Sequence, residues 1–172
     1  GAKVGSAQST GITLRNPRRR FPRARGDSRT RTVDLVLGSP PYFPLGAGVH
    51  GDHPQKVACR FESRGTIADY CETAARHLEW GGVFACVFLH EQLARVEAAA
   101  RHSDLAVIRR RPVVFKEGEP PLLCLFAMTR LDHLPAWFRA QTWVEPALTI
   151  RTKEGKVHPE YMAIKLSVGF PP

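Results

Sequence analysis

The 172-residue sequence predicts an α/β domain built on a mixed sheet, parallel where it starts and closed by an antiparallel hairpin. Three observations carry that expectation. The continuous apolar runs 33–37 and 83–89 have the character of strands buried on both faces. Between them Ile67, Tyr70, Cys71, Ala74, Ala75 and Leu78 recur on one helical face. The runs 105–115 and 122–128 are separated by Lys116-Glu117-Gly118-Glu119-Pro120-Pro121, too short a connection to cross a sheet. A hydrophobic content of 43% and a charged content of 24% suit one packed domain and exclude a wholly disordered, collagenous or coiled-coil chain.

Each element has its local reason. The first strand stops at Gly38, and Ser39-Pro40-Pro41-Tyr42-Phe43-Pro44 removes three backbone donors within a few residues, so a loop runs on to about Lys56. The helix from Gly65 to Glu79 opens on Thr66 with Asp69 three residues later, a capping-box spacing. Gly81-Gly82 punctuates the chain before the second strand, which makes strand, helix and strand one parallel unit. A second helix, 91–102, turns Leu93, Val96 and Ala100 inward. After the hairpin, Trp137 and Trp143 are expected to pack back on the sheet. The runs 147–151 and 161–166 are expected to form a small closing hairpin around Lys153-Glu154-Gly155-Lys156.

Charge is distributed unevenly. Residues 1–32 hold nine basic residues against the single acid Asp27, while residues 33–172 hold sixteen basic and fifteen acidic ones. An Arg-rich block with Pro17 and Pro22 buries too little apolar surface to offset its ordering entropy, so 1–32 is expected to be a disordered arm. Such an arm would hold nucleic-acid phosphates by charge alone, with strong salt dependence. Its two prolines count against the amphipathic helix of a transit peptide. No apolar run is long enough for a membrane span and no signal peptide opens the chain, so a cytoplasmic protein is expected. The cysteines Cys59, Cys71, Cys86 and Cys124 include no C-x-x-C pair and read as small buried hydrophobes. His50, His53 and Cys59 match no zinc spacing, and no metal is expected.

In an open α/β sheet, ligands sit beyond the carboxyl ends of the strands, where Ser39-Pro40-Pro41-Tyr42 falls. Each proline fixes its own φ and biases the residue before it towards an extended shape, so the tetrapeptide is a stiff ledge. The expectation is that the proline pair caps a central strand and faces an open cleft, presenting the Ser39 hydroxyl, proline carbonyls and the Tyr42 ring. A flat aromatic amine would stack on Tyr42 or Phe43 while its N–H groups are accepted by Ser39 and the Pro40 carbonyl. Out-of-plane acceptors favour the pyramidal nitrogen that attacks a methyl group, so Ser39, Pro40, Pro41 and Tyr42 form the catalytic set without a strong base. His90-Glu91, at the end of a strand, is left outside that set. Arg109, Arg110 and Arg111 cannot all face one side of a strand, and at least one is expected to be a solvated edge charge.

The run Asp34-Leu35-Val36-Leu37-Gly38-Ser39-Pro40-Pro41-Tyr42-Phe43 resembles the strand and (Asn/Asp/Ser)-Pro-Pro-(Tyr/Phe) loop of class I S-adenosylmethionine-dependent amino-methyltransferases. Within that class the chain is most similar to the small-domain, bacterial-type tRNA adenine N(6)-methyltransferases. The likeness continues in Arg60-Phe61-Glu62, in Leu78-Glu79-Trp80-Gly81-Gly82, in the antiparallel hairpin and in Lys153-Glu154-Gly155-Lys156 with Pro159-Glu160, spanning about residues 33–166. It implies a partial Rossmann-like methyltransferase fold, S-adenosylmethionine (SAM) as cofactor, and methylation of an exocyclic base nitrogen, adenine in tRNA. It also implies substrate contacts from Phe43, Arg60 and Glu62.

The sequence departs from that pattern twice. Ser39 stands where the adenine-specific members carry Asn, and the acidic, Gly-rich cofactor loop expected upstream of the ledge has no counterpart in residues 1–32. Circular permutation does not restore it: Gly46-Ala47-Gly48 follows no strand, Gly81-Gly82 precedes one, and Gly169-Phe170 is terminal. The chain is therefore expected to hold the substrate half of the domain, leaving the first strand with an apolar edge that favours self-association or a partner subunit. Two further readings use the same residues: a catalytically incompetent remnant that binds RNA or a partner, and a methyltransferase acting on a protein glutamine amide.

Overall fold

The computed structural model describes residues 32–43 and 65–171. Residues 1–31, most of the Arg-rich arm, and residues 44–64, which include His50, His53, Cys59, Arg60 and Glu62, lie outside the described residues. Strand β1 (Val33–Gly38) leads to helix α1 (Ile67–His77) and strand β2 (Leu78–Leu89). A 3-10 turn (His90–Gln92) then enters helix α2 (Leu93–His102). Strands β3 (Leu105–Lys116) and β4 (Leu123–Arg130), short strands β5 (Trp143–Val144) and β6 (Leu148–Arg151), and helix α3 (Pro159–Ser167) complete the order. β1 and β2 are parallel, and β4 lies antiparallel between β2 and β3, giving the sheet order β1-β2-β4-β3-β5 with β6 also on β3. This is the mixed α/β sheet with an antiparallel hairpin that the sequence predicts.

One sheet face is covered and holds the core. Phe84, Phe88, Phe126 and Met128 point from the strands towards Ile67, Cys71 and Ala74 of α1 and Val96, Ala99 and Ala100 of α2. Burial pushes the Cys71 and Cys86 thiols up to about 12, as suits cysteines acting as small core hydrophobes. Helix α1 begins on the expected capping box: the Thr66 backbone N–H donates to the Asp69 carboxylate at 2.6 Å and the Asp69 N–H to the Thr66 hydroxyl at 3.4 Å. The opposite face is apolar, and among the described residues no helix covers it. Register places Leu35, Leu37, Val83, Ala85 and Leu125 together there, with Leu35 54% and Leu37 74% exposed.

Four expectations are corrected. Helix α1 stops at His77, and Gly81-Gly82 lies inside β2: Val33 pairs with Leu78 but Leu35 with Val83, so β2 bulges by three residues. Gly81 adopts φ +77, and a Cβ on Gly82 would stand 3.1 Å from the Val33 carbonyl oxygen, so the pair makes the bulge possible. Residues 161–166 are helical: Pro159 occupies the first turn, where its missing N–H costs nothing, and the His158 side chain accepts from the Glu160 N–H. The partner of β6 is β3, in parallel, and Arg151 at the end of β6 forms an isolated antiparallel bridge with Val157. Trp137 and Trp143 stay 72% and 65% exposed. Finally, β5 and β6 cover the far side of β3, so the arginines do not guard a bare edge; Arg109 pairs with Glu145, Arg110 with Glu97 and Arg111 with Glu160.

The bulge also creates a pH-sensitive contact. The Gly81 N–H donates to Nδ1 of His133 at 3.2 Å, and the His133 ring lies 4.5 Å from the Trp80 ring. Burial lowers the His133 pKa, opposed by the Asp132 carboxylate. The unfolded chain protonates this histidine near about 6.5 while the folded chain resists, so its contribution is complete above that pH and lost as pH falls towards the folded value. Melting curves at pH 7.5 and pH 5.5 are expected to differ more for the wild type than for His133→Asn; equal differences would remove His133 from the account.

Candidate active site

The ledge forms where β1 runs out beside the carboxyl end of β2. Gly38 pairs with Cys86, and the next residue, Ser39, is exposed. Pro40 and Pro41 are buried, Pro40 completely, and Tyr42 and Phe43 are half-buried. The proline pair therefore does not face a cleft, and β1 is the end strand of the described sheet, which corrects the expected placement on both counts. The reason is hydrophobic: two rings without N–H groups lose nothing by entering the core, and their burial anchors the turn. What remains outside is the Ser39 side chain. Ser39 lines a groove of about 490 Å³ with Leu37, Gly38, Ala85, Cys86, Leu125 and Phe126.

Tyr42 is held from two sides. Its ring meets the fully buried Phe88 ring edge-on, with centroids 5.3 Å apart and planes at 86°. Its carbonyl oxygen accepts from Gln92 Nε2 at 3.1 Å, and Arg95 Nη1 donates to Gln92 Oε1 at 2.6 Å. The Arg95 guanidinium also stands 5.7 Å from the Phe88 ring centroid, so one small network joins the ledge to the end of β2. Gln92 and Arg95 are positioning residues absent from the set expected on sequence grounds. Their signal is the place of Gln92 just beyond a strand's carboxyl end, three residues before Arg95 on a helix. His90 Nδ1, beside them in sequence, is buried and has no hydrogen-bond partner among the described residues.

Of the expected set, Ser39, Pro40, Pro41, Tyr42 and Phe43 form one continuous turn, whereas Arg60 and Glu62 lie outside the described residues. Among the described residues no group of three or more His, Cys, Asp or Glu side chains is placed to hold a metal. No described helix is long and apolar enough to cross a membrane.

The sheet order, the helix-covered face and the turn after β1 give the chain the Rossmann-like fold of the class I methyltransferases. A predicted O-methyltransferase from Agrobacterium tumefaciens shares it with a TM-score of 0.51 at 15% identity, over 64% of this chain and 50% of that one. The M1.HpyAVI–SAM complex aligns with a TM-score of 0.38 at 10% identity, over 67% of this chain and 57% of that one. The chain thus spans about half the length of these structures. No protein-family model and no curated protein matches it.

The fold class implies SAM. Of such a site the described residues hold only the turn 39–43, with Ser39 exposed and Tyr42 and Phe43 half-buried. A glycine turn leading from a strand into a helix, which would grip the nucleotide part of SAM, has no counterpart among them.

Proposed function

We propose that this chain forms the acceptor side of an enzyme that moves a methyl group from SAM to an exocyclic amino nitrogen of a nucleobase, adenine in tRNA. The observation that carries this reading is the exposed Ser39 at the head of an apolar groove, on a turn anchored by two buried prolines and by Gln92. The Ser39 oxygen, exposed where the two prolines are buried, accepts an N–H group of the amine. Tyr42 and Phe43, each half-buried, supply the surface on which the base stacks. Holding the amine with out-of-plane acceptors draws its lone pair out of conjugation, which the reaction requires and which needs no general base. The arm 1–32, of which only Thr32 lies within the described residues, adds salt-sensitive phosphate affinity through its charge.

The test is recognition of the amine. An unmodified RNA stem-loop with an unpaired adenine is expected to bind about tenfold or more tighter than the same RNA carrying purine, which lacks the amine, and Ser39→Ala is expected to erase the difference. Equal binding of the two RNAs by the wild type would overturn the assignment.

The misfit on the cofactor side favours a second reading, a non-catalytic RNA-binding domain. Calorimetric titration with SAM separates the two. Heat at one equivalent supports the enzyme, and its absence beside an intact amine preference supports the binding domain.

A further inference from the structure

We propose that the turn after β6, through Lys153 and Lys156, holds backbone phosphates of the RNA that carries the target base. The kind of ligand rests on the methyl-transfer reading, and the place rests on the sheet. β1, β2, β3 and β6 run in one direction and β4 runs against them. Their carboxyl ends therefore share one end of the sheet, where Ser39 follows β1 and Thr152 follows β6. Lys116 pairs with Arg151 three residues beyond Val113, the last residue of β3 that pairs with β4, so the turn stands out past the middle of the sheet. Across the sheet, β2, β4 and β3 separate β1 from β6, roughly 19 Å at about 4.8 Å per strand. The turn is too far from Ser39 to touch the target base, and it shares the end of the sheet at which that base is held.

Backbone hydrogen bonds set the shape of the turn. The Thr152 N–H donates to the Lys156 carbonyl oxygen at 2.8 Å and the Gly155 N–H to the Thr152 carbonyl oxygen at 2.9 Å, with Gly155 at φ +82. Arg151 Nη1 donates to the Gly155 carbonyl oxygen at 2.8 Å, and Arg151 bridges to Val157. Lys153 and Lys156 project from this frame. Both are exposed, and neither has an ion-pair partner among the described residues.

The charge near this edge is otherwise matched. Arg109, Arg110 and Arg111 of β3 pair with Glu145, Glu97 and Glu160, and Glu154, the single acid between Arg151 and Lys156, interacts with Lys116. The two lysines of the turn are left to meet an anion. A lysine ammonium is a compact charge without the planar fork that reads base edges, so the contact is to phosphate and indifferent to sequence.

The test is titration of the full chain with an RNA stem-loop bearing an unpaired adenine, over a range of salt concentrations. Lys153→Gln combined with Lys156→Gln is expected to weaken binding about tenfold. The slope of log affinity against log salt is expected to shrink by about 1.4 to 1.8, two phosphates at about 0.7 to 0.9 each. The preference for adenine over purine is expected to persist, because Ser39 is untouched. Arg101→Gln removes an exposed charge from the last turn of α2, at the opposite end of the sheet, and is expected to leave the slope as it was. Unchanged melting curves verify that both variants fold. An unaltered slope in the lysine variant, or an equal loss from Arg101→Gln, would overturn the proposal, the second because overall charge would then account for the binding. A wild type without amine preference whose RNA affinity still depends on the two lysines would sink the methyl-transfer reading and support this contact.

Discussion

Phe88→Ala is expected to lower stability by about 3–5 kcal/mol, the range for removing a buried aromatic ring. Phe88 is fully buried, and its ring is shared: the Tyr42 ring meets it edge-on and the Arg95 guanidinium stands 5.7 Å from its centroid. The cavity thus opens between the core and the ledge, where neither β2 nor the anchored turn can collapse to fill it. Denaturant titration measures the stability loss. Because Tyr42 loses its support, the preference for an amine-bearing base is expected to fall as well under conditions where the variant remains folded. A loss below about 1 kcal/mol would mean that Phe88 is not the packing centre that its burial makes it.

Gly38→Ala is expected to cost about 1–3 kcal/mol, the range for overpacking. A Cβ at this position would stand 3.0 Å from Tyr70 Cδ1 and 3.1 Å from Phe84 Cε2. Phe84 is completely buried and has nowhere to go, whereas Tyr70 is half-buried and can shift. Alanine gains back several tenths of a kcal/mol by restricting the unfolded chain, which is less than the overlap costs. A double-mutant cycle tests the cause: in a Tyr70→Ala background the penalty is expected to shrink, and equal penalties in both backgrounds would assign it elsewhere. Gly38 is thus a packing glycine at the end of β1, with no turn that needs its freedom.

Much of the architecture is legible from periodicity. The apolar runs of β1 and β2, the helical spacing from Ile67 to Leu78, the Thr66–Asp69 cap and the short β3–β4 connection each report local burial or local hydrogen bonding. The ledge is legible for the same reason, since two prolines after a strand restrict the backbone wherever the chain then goes. Residues 161–166 mislead because a run of apolar residues this short fits either period. The helix is set by Pro159 and the His158 cap just before it. The Gly81-Gly82 pair misleads as a boundary because a bulge is defined only by the strand across from it, and that partner is Val33, far away in the chain.

Taken alone, the sequence determined the types of β1 to β4, α1 and α2, the covered helical faces and the stiff turn at residues 39–42, because each depends on interactions within a few residues. Tertiary structure decided the rest. It turned the rings of Pro40 and Pro41 into the core and left Ser39 at the groove, and it brought Gln92 to the Tyr42 carbonyl across fifty residues of chain. Among the described residues it also left one sheet face uncovered by a helix and β1 at the end of the sheet. Those outcomes depend on which strands become neighbours, and pairing is a long-range choice that no local pattern of hydrophobicity encodes.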